Sequence, residues 1–228
     1  MDSNYWVNFW KTYTSDLKNK DEQTQVLRTL NKLPISQELW EFTLQNIDSS
    51  FEVKKEDKVL DLCCGNGILS KHFADKGAYI TSIDISEELL KGLNNYNNII
   101  TIHSDITKVT FKDNSFDKII IYAGIQYFSR KEVVELVVKI YRWLKPNGVL
   151  FIGDIPDHRK LWSFYNNKER QNIYFENLLE NKSIVGNWFE KEWFQNLGNY
   201  SGFNQSIYLP QDKKLIYSNF RFDFLFKK

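Results

Sequence analysis

Only two cysteines occur in 228 residues, and they are neighbours, Cys63 and Cys64. Adjacent cysteines cannot build a disulfide framework, which excludes a disulfide-stapled scaffold and predicts a reducing, cytoplasmic setting. Histidine is nearly as sparse. His72, His103 and His158 are scattered, and no pair has H-x-x-x-H spacing, so no metal site is expected. The longest apolar run, near residues 119–125, falls far short of the ~20 residues a membrane span needs. Residues 1–4 carry neither a basic nor an apolar leader, so no secretory signal is expected. No excess of either charge exists: 30 basic residues oppose 29 acidic ones, for a net charge of +1. A dedicated nucleic-acid binder would show a basic surplus on one face, so no nucleic-acid partner is expected. Internal repeats and Gly/Ser/Pro linkers are also missing, and the chain reads as one domain over residues 1–228.

What is present is ordinary globular material, 42% hydrophobic and 26% charged, with an aromatic content of 16%. The middle of the chain alternates strand-like and helix-like segments, the pattern of a parallel α/β sheet. Strands are expected at residues 58–62, 79–84, 99–103 and 117–122. The last holds Ile119, Ile120 and Ile121 in succession, as a strand covered on both faces would. Ser86 can cap one helix. Ser129 and Glu132 form an S-x-x-E capping box for another, whose Val133, Val137, Ile140 and Leu144 share one stripe. Pro146 is expected to stop that helix, and Asn147-Gly148 to turn the chain into a fifth strand over 149–153. Around this core at residues 58–155, residues 1–57 read as an N-terminal helical cap. Residues 156–205 read as an aromatic-rich cap insertion, and residues 206–228 as two terminal strands.

The chemistry concentrates at strand ends. Residues 59–67 read Val-Leu-Asp-Leu-Cys-Cys-Gly-Asn-Gly, between a strand and a helix. Gly65 and Gly67 let the backbone approach a ligand and present N–H groups at a helix start. Alone, such a loop could be a turn that simply needs glycine. Asp84, however, ends the second strand 19 residues after Gly65, where a carboxylate can accept from both ribose hydroxyls of a nucleoside. Asp105 ends the third strand, where an acceptor can meet an adenine amino group. In open parallel sheets all three features fall on one rim.

With these residues in place, the chain resembles the class I S-adenosylmethionine-dependent methyltransferases of the small-molecule type. The resemblance covers roughly residues 57–155 and the terminal strands. It implies an α/β, Rossmann-like, doubly wound seven-stranded sheet with the last strand antiparallel. It also implies S-adenosyl-L-methionine as cofactor, held by Asp61, Cys63, Gly65, Asn66 and Gly67, by Asp84 and Ile85, by Asp105 and Ile106, and by Ala123. Leu144–Gly148, Leu-Lys-Pro-Asn-Gly, resembles the family's LKPGG. Two departures stand out. Cys63 occupies the first glycine of the family's D-x-G-x-G, tolerable if its φ stays negative. Gln126 stands where many relatives carry histidine, which removes one base.

A nicotinamide-dinucleotide site is the main rival for the loop, since Gly65-x-Gly67-x-x-Ser70 nearly fits G-x-G-x-x-G/A. Asp61 before the loop, Asp105 and the Leu-Lys-Pro-Asn-Gly segment favour the methyltransferase. No [N/D]-P-P-[Y/F] follows the fourth strand, which argues against adenine and glutamine N-methylation. Both cysteines sit in the cofactor loop, which argues against cytosine C5 chemistry. The expected acceptor is therefore a small molecule, methylated at a hydroxyl. An RNA or protein methyltransferase, and a non-catalytic module retaining the fold, are the alternatives. Asp154 and His158 are the candidate bases. Gln126, Tyr127, Tyr5, Trp10 and Tyr13 are the candidate substrate contacts, with Tyr5, Trp10 and Tyr13 expected to close over the cofactor. Oligomeric state cannot be read from these residues.

Overall fold

The computed structural model describes residues 3–17 and 20–228. Met1 and Asp2, on which the leader expectation partly rests, lie outside them. The N-terminal region forms helices α1 (Ser3–Tyr13) and α2 (Glu22–Gln25), a hairpin of two short strands, β1 (Thr29–Leu30) and β2 (Leu33–Pro34), and helix α3 (Gln37–Phe51). The core follows as β3 (Lys58–Leu62), α4 (Ile68–Asp75), β4 (Tyr79–Asp84), α5 (Glu87–Leu90), β5 (Ile99–His103), β6 (Phe116–Tyr122), α6 (Arg130–Trp143) and β7 (Leu144–Pro156). Helices α7 (Leu161–Phe164), α8 (Lys168–Leu179) and α9 (Lys191–Ser201) lead to β8 (Gln205–Pro210) and β9 (Arg221–Lys227).

Seven strands form one sheet in the order β5-β4-β3-β6-β7-β9-β8. β3 to β7 run parallel, and β9 inserts antiparallel between β7 and β8. Alternate residues of the central strands feed two cores. Ile119, Ile121, Leu150 and Ile152 pack with Val133, Leu136 and Ile140 of α6 and Phe194 of α9. Ile120, Val149 and Phe151 pack on the other face with Trp40, Ile47 and Phe51 of α3 and Phe73 of α4. This two-sided burial explains the unalternating apolar runs.

Local signals act as expected at α6. The Ser129 side chain caps the Glu132 N–H, and the Glu132 carboxylate takes the Ser129 N–H. Two expectations need correction. Pro146 does not stop α6: the helix ends at Trp143 because Leu144 is already extended (φ −67°, ψ 137°), and Pro146 lies inside β7. The fifth strand is accordingly 13 residues long, not five. Asn147 does take the left-handed turn, at φ 64°. Among the described residues, no helix is long and apolar enough to cross a membrane.

Candidate active site

A cavity of about 300 Å³ opens above the carboxyl ends of β3 to β7. Strand termination there is unusual. Cys63, Ala123 and Asp154, just past β3, just past β6 and near the end of β7, all adopt left-handed φ, at 59°, 54° and 61°. All three line the cavity. Such a conformation costs a non-glycine residue about 1–3 kcal/mol and concentrates where a site dictates the backbone. The expectation of negative φ at Cys63 is therefore corrected. Its side chain packs on Gly124, where an added Cβ would come within 2.7 Å of the Cys63 Cβ. At Asp154 the β7–β9 register shifts between Ile152 and Ile155, a bulge that leaves this carboxyl on the cavity.

The cavity has two chemically different ends. Over β3, β4 and β5 lie Asp61, Asp84 and Asp105. Asp84 accepts from the Gly65 N–H at 2.8 Å and the Ser86 N–H at 2.9 Å, tying the glycine loop to β4. Its burial nevertheless outweighs these bonds and raises its pKa. Asp61 accepts from the Ser70 hydroxyl at 2.6 Å. Burial, reinforced by Asp84, pushes its carboxyl up to about 7. Asp105 accepts from both the N–H and the hydroxyl of Thr107, at 2.9 and 2.8 Å. Burial pushes both loop thiols well up, so neither cysteine is a ready nucleophile.

Over β6, β7 and β9 the composition reverses. Arg28, following α2, and Arg221, opening β9, are both buried around Asp154. Arg28 Nη1 donates to Asp154 Oδ2 at 2.5 Å, and its Nη2 donates to the Tyr122 hydroxyl at 3.1 Å. Arg221 Nη1 donates to the Asp154 carbonyl at 2.5 Å and stands 3.3 Å from Oδ2. Burial alone would raise the Asp154 carboxyl, but Arg221, Arg28 and the Gln211 amide hold it below the ordinary carboxylate range. Gln126 donates to the Ala123 carbonyl at 2.7 Å, while its Oε1 is buried without a partner. Tyr127 packs against Trp6, tilted by 41° at a centroid distance of 4.5 Å, and meets Trp10 edge-on at 5.8 Å, and burial pushes its hydroxyl up to about 12.

Of the residues singled out in the sequence, the cavity gathers Asp61, Cys63, Gly65, Asp84, Ile85, Asp105, Ile106, Ala123, Gln126, Tyr127, Trp10 and Asp154. The others are placed differently. Asn66 turns its amide to Glu22 and Gln25 of α2. Gly67 caps α4 under Leu93. Tyr13 donates to the Thr24 carbonyl and Tyr5 meets Trp6 edge-on, and neither lines the cavity; Trp6 takes that role beside Trp10. His158 pairs with Glu190 at 3.3 Å, half-exposed and away from the cavity. Asp154 is on the cavity, but its oxygens already take Arg28 and Gln211 and its basicity is depressed. Asp154 is thus a weak base on the cavity, and His158 lies too far from the cavity to serve as one there. Sequence reasoning missed Arg28 and Arg221. A signal for the second existed: Arg221 and Asp223 are charges set among the phenylalanines of the terminal strand, ahead of the exposed Lys227 at its end.

The strand order with one antiparallel strand, and a glycine loop answered by an acid on the next strand, define the class I S-adenosylmethionine-dependent methyltransferase fold. Residues 59–148 match the model of a family described as a methyltransferase domain. A phosphoethanolamine N-methyltransferase of Plasmodium falciparum is 34% identical over 115 residues, 48% of this chain and 43% of that protein. A demethylmenaquinone methyltransferase of Staphylococcus epidermidis is 28% identical over 134 residues, 53% of this chain and 54% of that protein. The chain spans about half the length of these curated relatives. A crystal structure of a SAM-dependent methyltransferase from Archaeoglobus fulgidus superposes with a TM-score of 0.62 at 18% identity, over 85% of this chain and 95% of that one.

Proposed function

We propose that this protein transfers a methyl group from S-adenosylmethionine to a hydroxyl of a small molecule. The observation that carries the reading is the two-ended cavity, acidic over β3 to β5 and roofed by Trp6 and Trp10. A site walled in this way suits a small acceptor, whereas a nucleic acid or a protein chain would need an open groove. The names of the two relatives concern different acceptors, so the shared fold does not choose the methylated atom.

The residues at the acidic end fit the cofactor. Asp84 would hold the ribose hydroxyls, Asp105 and Ile106 the adenine, and Asp61, Cys63 and Gly65 the amino-acid part. Gly65 and Gly124 let the side chains of Val26 and Cys63, both on the cavity wall, pack directly on the backbone. When bound, S-adenosylmethionine supplies a methyl group on a positively charged sulfur. Positive charge disperses during in-line displacement, so alignment of the reactants does most of the work, and good positioning contributes about 7–11 kcal/mol. Gln126, a cavity residue whose Oε1 is buried without a partner, would turn that oxygen to the hydrogen bond of the acceptor hydroxyl. Trp6, Trp10 and Tyr127 would exclude water. Because Asp154 is a weak base here, the reading favours an acidic hydroxyl, one that loses its proton without a strong base.

Calorimetric titration of S-adenosylhomocysteine into wild type and Asp84→Ala tests the proposal. Micromolar binding, weakened tenfold or more by the substitution (about 1.4 kcal/mol), is expected. No binding by the folded wild type would overturn it.

A further inference from the structure

We infer that Arg28 and Arg221 form a subsite for an oxyanion, a carboxylate or a phosphate, carried by the methyl acceptor. The inference rests on the methyltransferase reading and names the class of molecule at the second end of its cavity.

Both arginines line the cavity with only 6% and 8% of their surface exposed. Burying a guanidinium is costly unless it is paired and its N–H groups are satisfied. Here two guanidiniums share one side-chain carboxylate, that of Asp154. Among the described residues no other carboxylate lies within ion-pair distance of either. Asp223, the next acid, instead accepts from the Asp154 N–H and the Gln211 amide. The Nε atoms of Arg28 and Arg221 are both buried without a partner. The cluster therefore has more guanidiniums than carboxylates in ion-pair contact, and N–H donors to spare, on the wall of a cavity.

Aromatic rings fix the planes of these groups. Arg28 lies over Tyr122 and Tyr217, at 5.0 and 5.3 Å. Arg221 lies over Tyr217 and Phe220, at 5.3 and 5.2 Å. Stacking occupies guanidinium faces and leaves edges for hydrogen bonding. A planar fork of donors matches the two oxygens of a carboxylate or phosphate. The location assigns the oxyanion to the acceptor. The arginines lie with Asp154 and Tyr122, over β6, β7 and β9, whereas Asp84 and Asp105 lie over β4 and β5. Phe164, Phe220 and Trp10 add apolar wall to the same cavity, so an apolar body with one acidic group is the complementary shape.

The test is titration calorimetry with matched acid and neutral probes: benzoate against benzamide, hexanoate against hexanamide, and phenyl phosphate against benzyl alcohol. Each pair is run on the free protein and on protein saturated with S-adenosylhomocysteine. At least one acid is expected to bind tenfold or more tighter than its neutral partner. Arg221→Gln should abolish that preference while leaving S-adenosylhomocysteine affinity within twofold. No preference for any acid overturns the inference. So does an Arg221→Gln protein that loses S-adenosylhomocysteine as severely as the acid, since the oxyanion would then be the cofactor's own carboxylate. If Arg221→Gln does not fold, Arg221→Lys keeps the charge without the fork and should cut the preference threefold or more; an unchanged preference would again overturn the inference. Failure of S-adenosylhomocysteine to bind wild type would sink the methyltransferase reading, and the acid preference of the free protein would still decide the subsite.

Discussion

Asp61 gives the sharpest quantitative expectation. Its carboxyl is buried at the end of the central strand and bonded to Ser70. Asp61→Asn keeps the shape, keeps an oxygen for the Ser70 hydroxyl, and removes ionisation. A carboxyl raised in the folded state contributes stability that is complete below its unfolded value and is lost as pH rises through the folded value. For Asp61 those values are 3.8 and about 7. At 1.36 kcal/mol per pH unit the full loss is about 4 kcal/mol, and the portion incurred between pH 5 and pH 8 is about 2–3 kcal/mol. Asparagine loses nothing over that window. Relative to wild type, Asp61→Asn should therefore gain about 2–3 kcal/mol between pH 5 and pH 8. Asp223, also pushed up to about 7 by burial, titrates in both proteins and cancels in the comparison. Urea unfolding at pH 5, 6, 7 and 8 supplies the four differences, provided the m-values agree. A difference between the two proteins that stays constant within about 0.5 kcal/mol across the series would refute the reasoning, because Asp61 would then titrate alike in both states.

Three further outcomes follow from local geometry. Gly67 sits at φ 72° with an added Cβ only 2.2 Å from Leu93, so Gly67→Ala should cost about 2–3 kcal/mol. Gly92 meets nothing closer than 3.5 Å, so Gly92→Ala should stay within about 0.5 kcal/mol; thermal unfolding of the pair checks the contrast. Ser129→Ala breaks the α6 capping box and should cost about 1 kcal/mol in urea, with the m-value unchanged. Trp6→Ala removes the ring packed on Tyr127, so hydrogen exchange should rise across α1 while β3 and β6 keep their protection; unchanged protection in α1 would show that other contacts hold it.

Physical reasons separate what was legible in the sequence from what was not. Strands β3 to β6 and helix α6 were legible because their signals are local: apolar runs, a capping box and turn residues at fixed offsets. The acidic end of the cavity was legible for the same reason, since Asp61, Asp84 and Asp105 each lie at or just beyond the end of a recognisable strand. The β1–β2 hairpin was not, because two-residue strands have no period to detect. Pro146 misled because a proline-based stop presumes a helix still running, whereas the chain turns extended two residues earlier. Cys63 misled because its backbone is left-handed against its own preference, with its side chain close on Gly124, a residue 61 positions away that no local pattern ties to it. By their spacing Trp6, Trp10 and Tyr13 share one face of α1. Only the docked position of α1 separates Trp6 and Trp10, on the cavity, from Tyr13 beside α2.

The arginine cluster was illegible for a deeper reason, and it bears on how such a fold acquires specificity. Asp61, Asp84 and Asp105 all fall within residues 59–148, the portion that matches the methyltransferase domain. Arg28, Asp154 and Arg221 all fall outside it. They meet because the N-terminal segment crosses over β6 and β7, with Tyr217 donating to the Thr29 carbonyl at 2.7 Å, and because the antiparallel β9 returns beside β7. No periodicity within one segment encodes a contact between opposite ends of a chain. The acidic end can thus stay constant while the flanks change what faces it. The acceptor should be decided by residues such as Arg28 and Arg221, and exchanging these flanks should alter acceptor choice before it alters cofactor affinity.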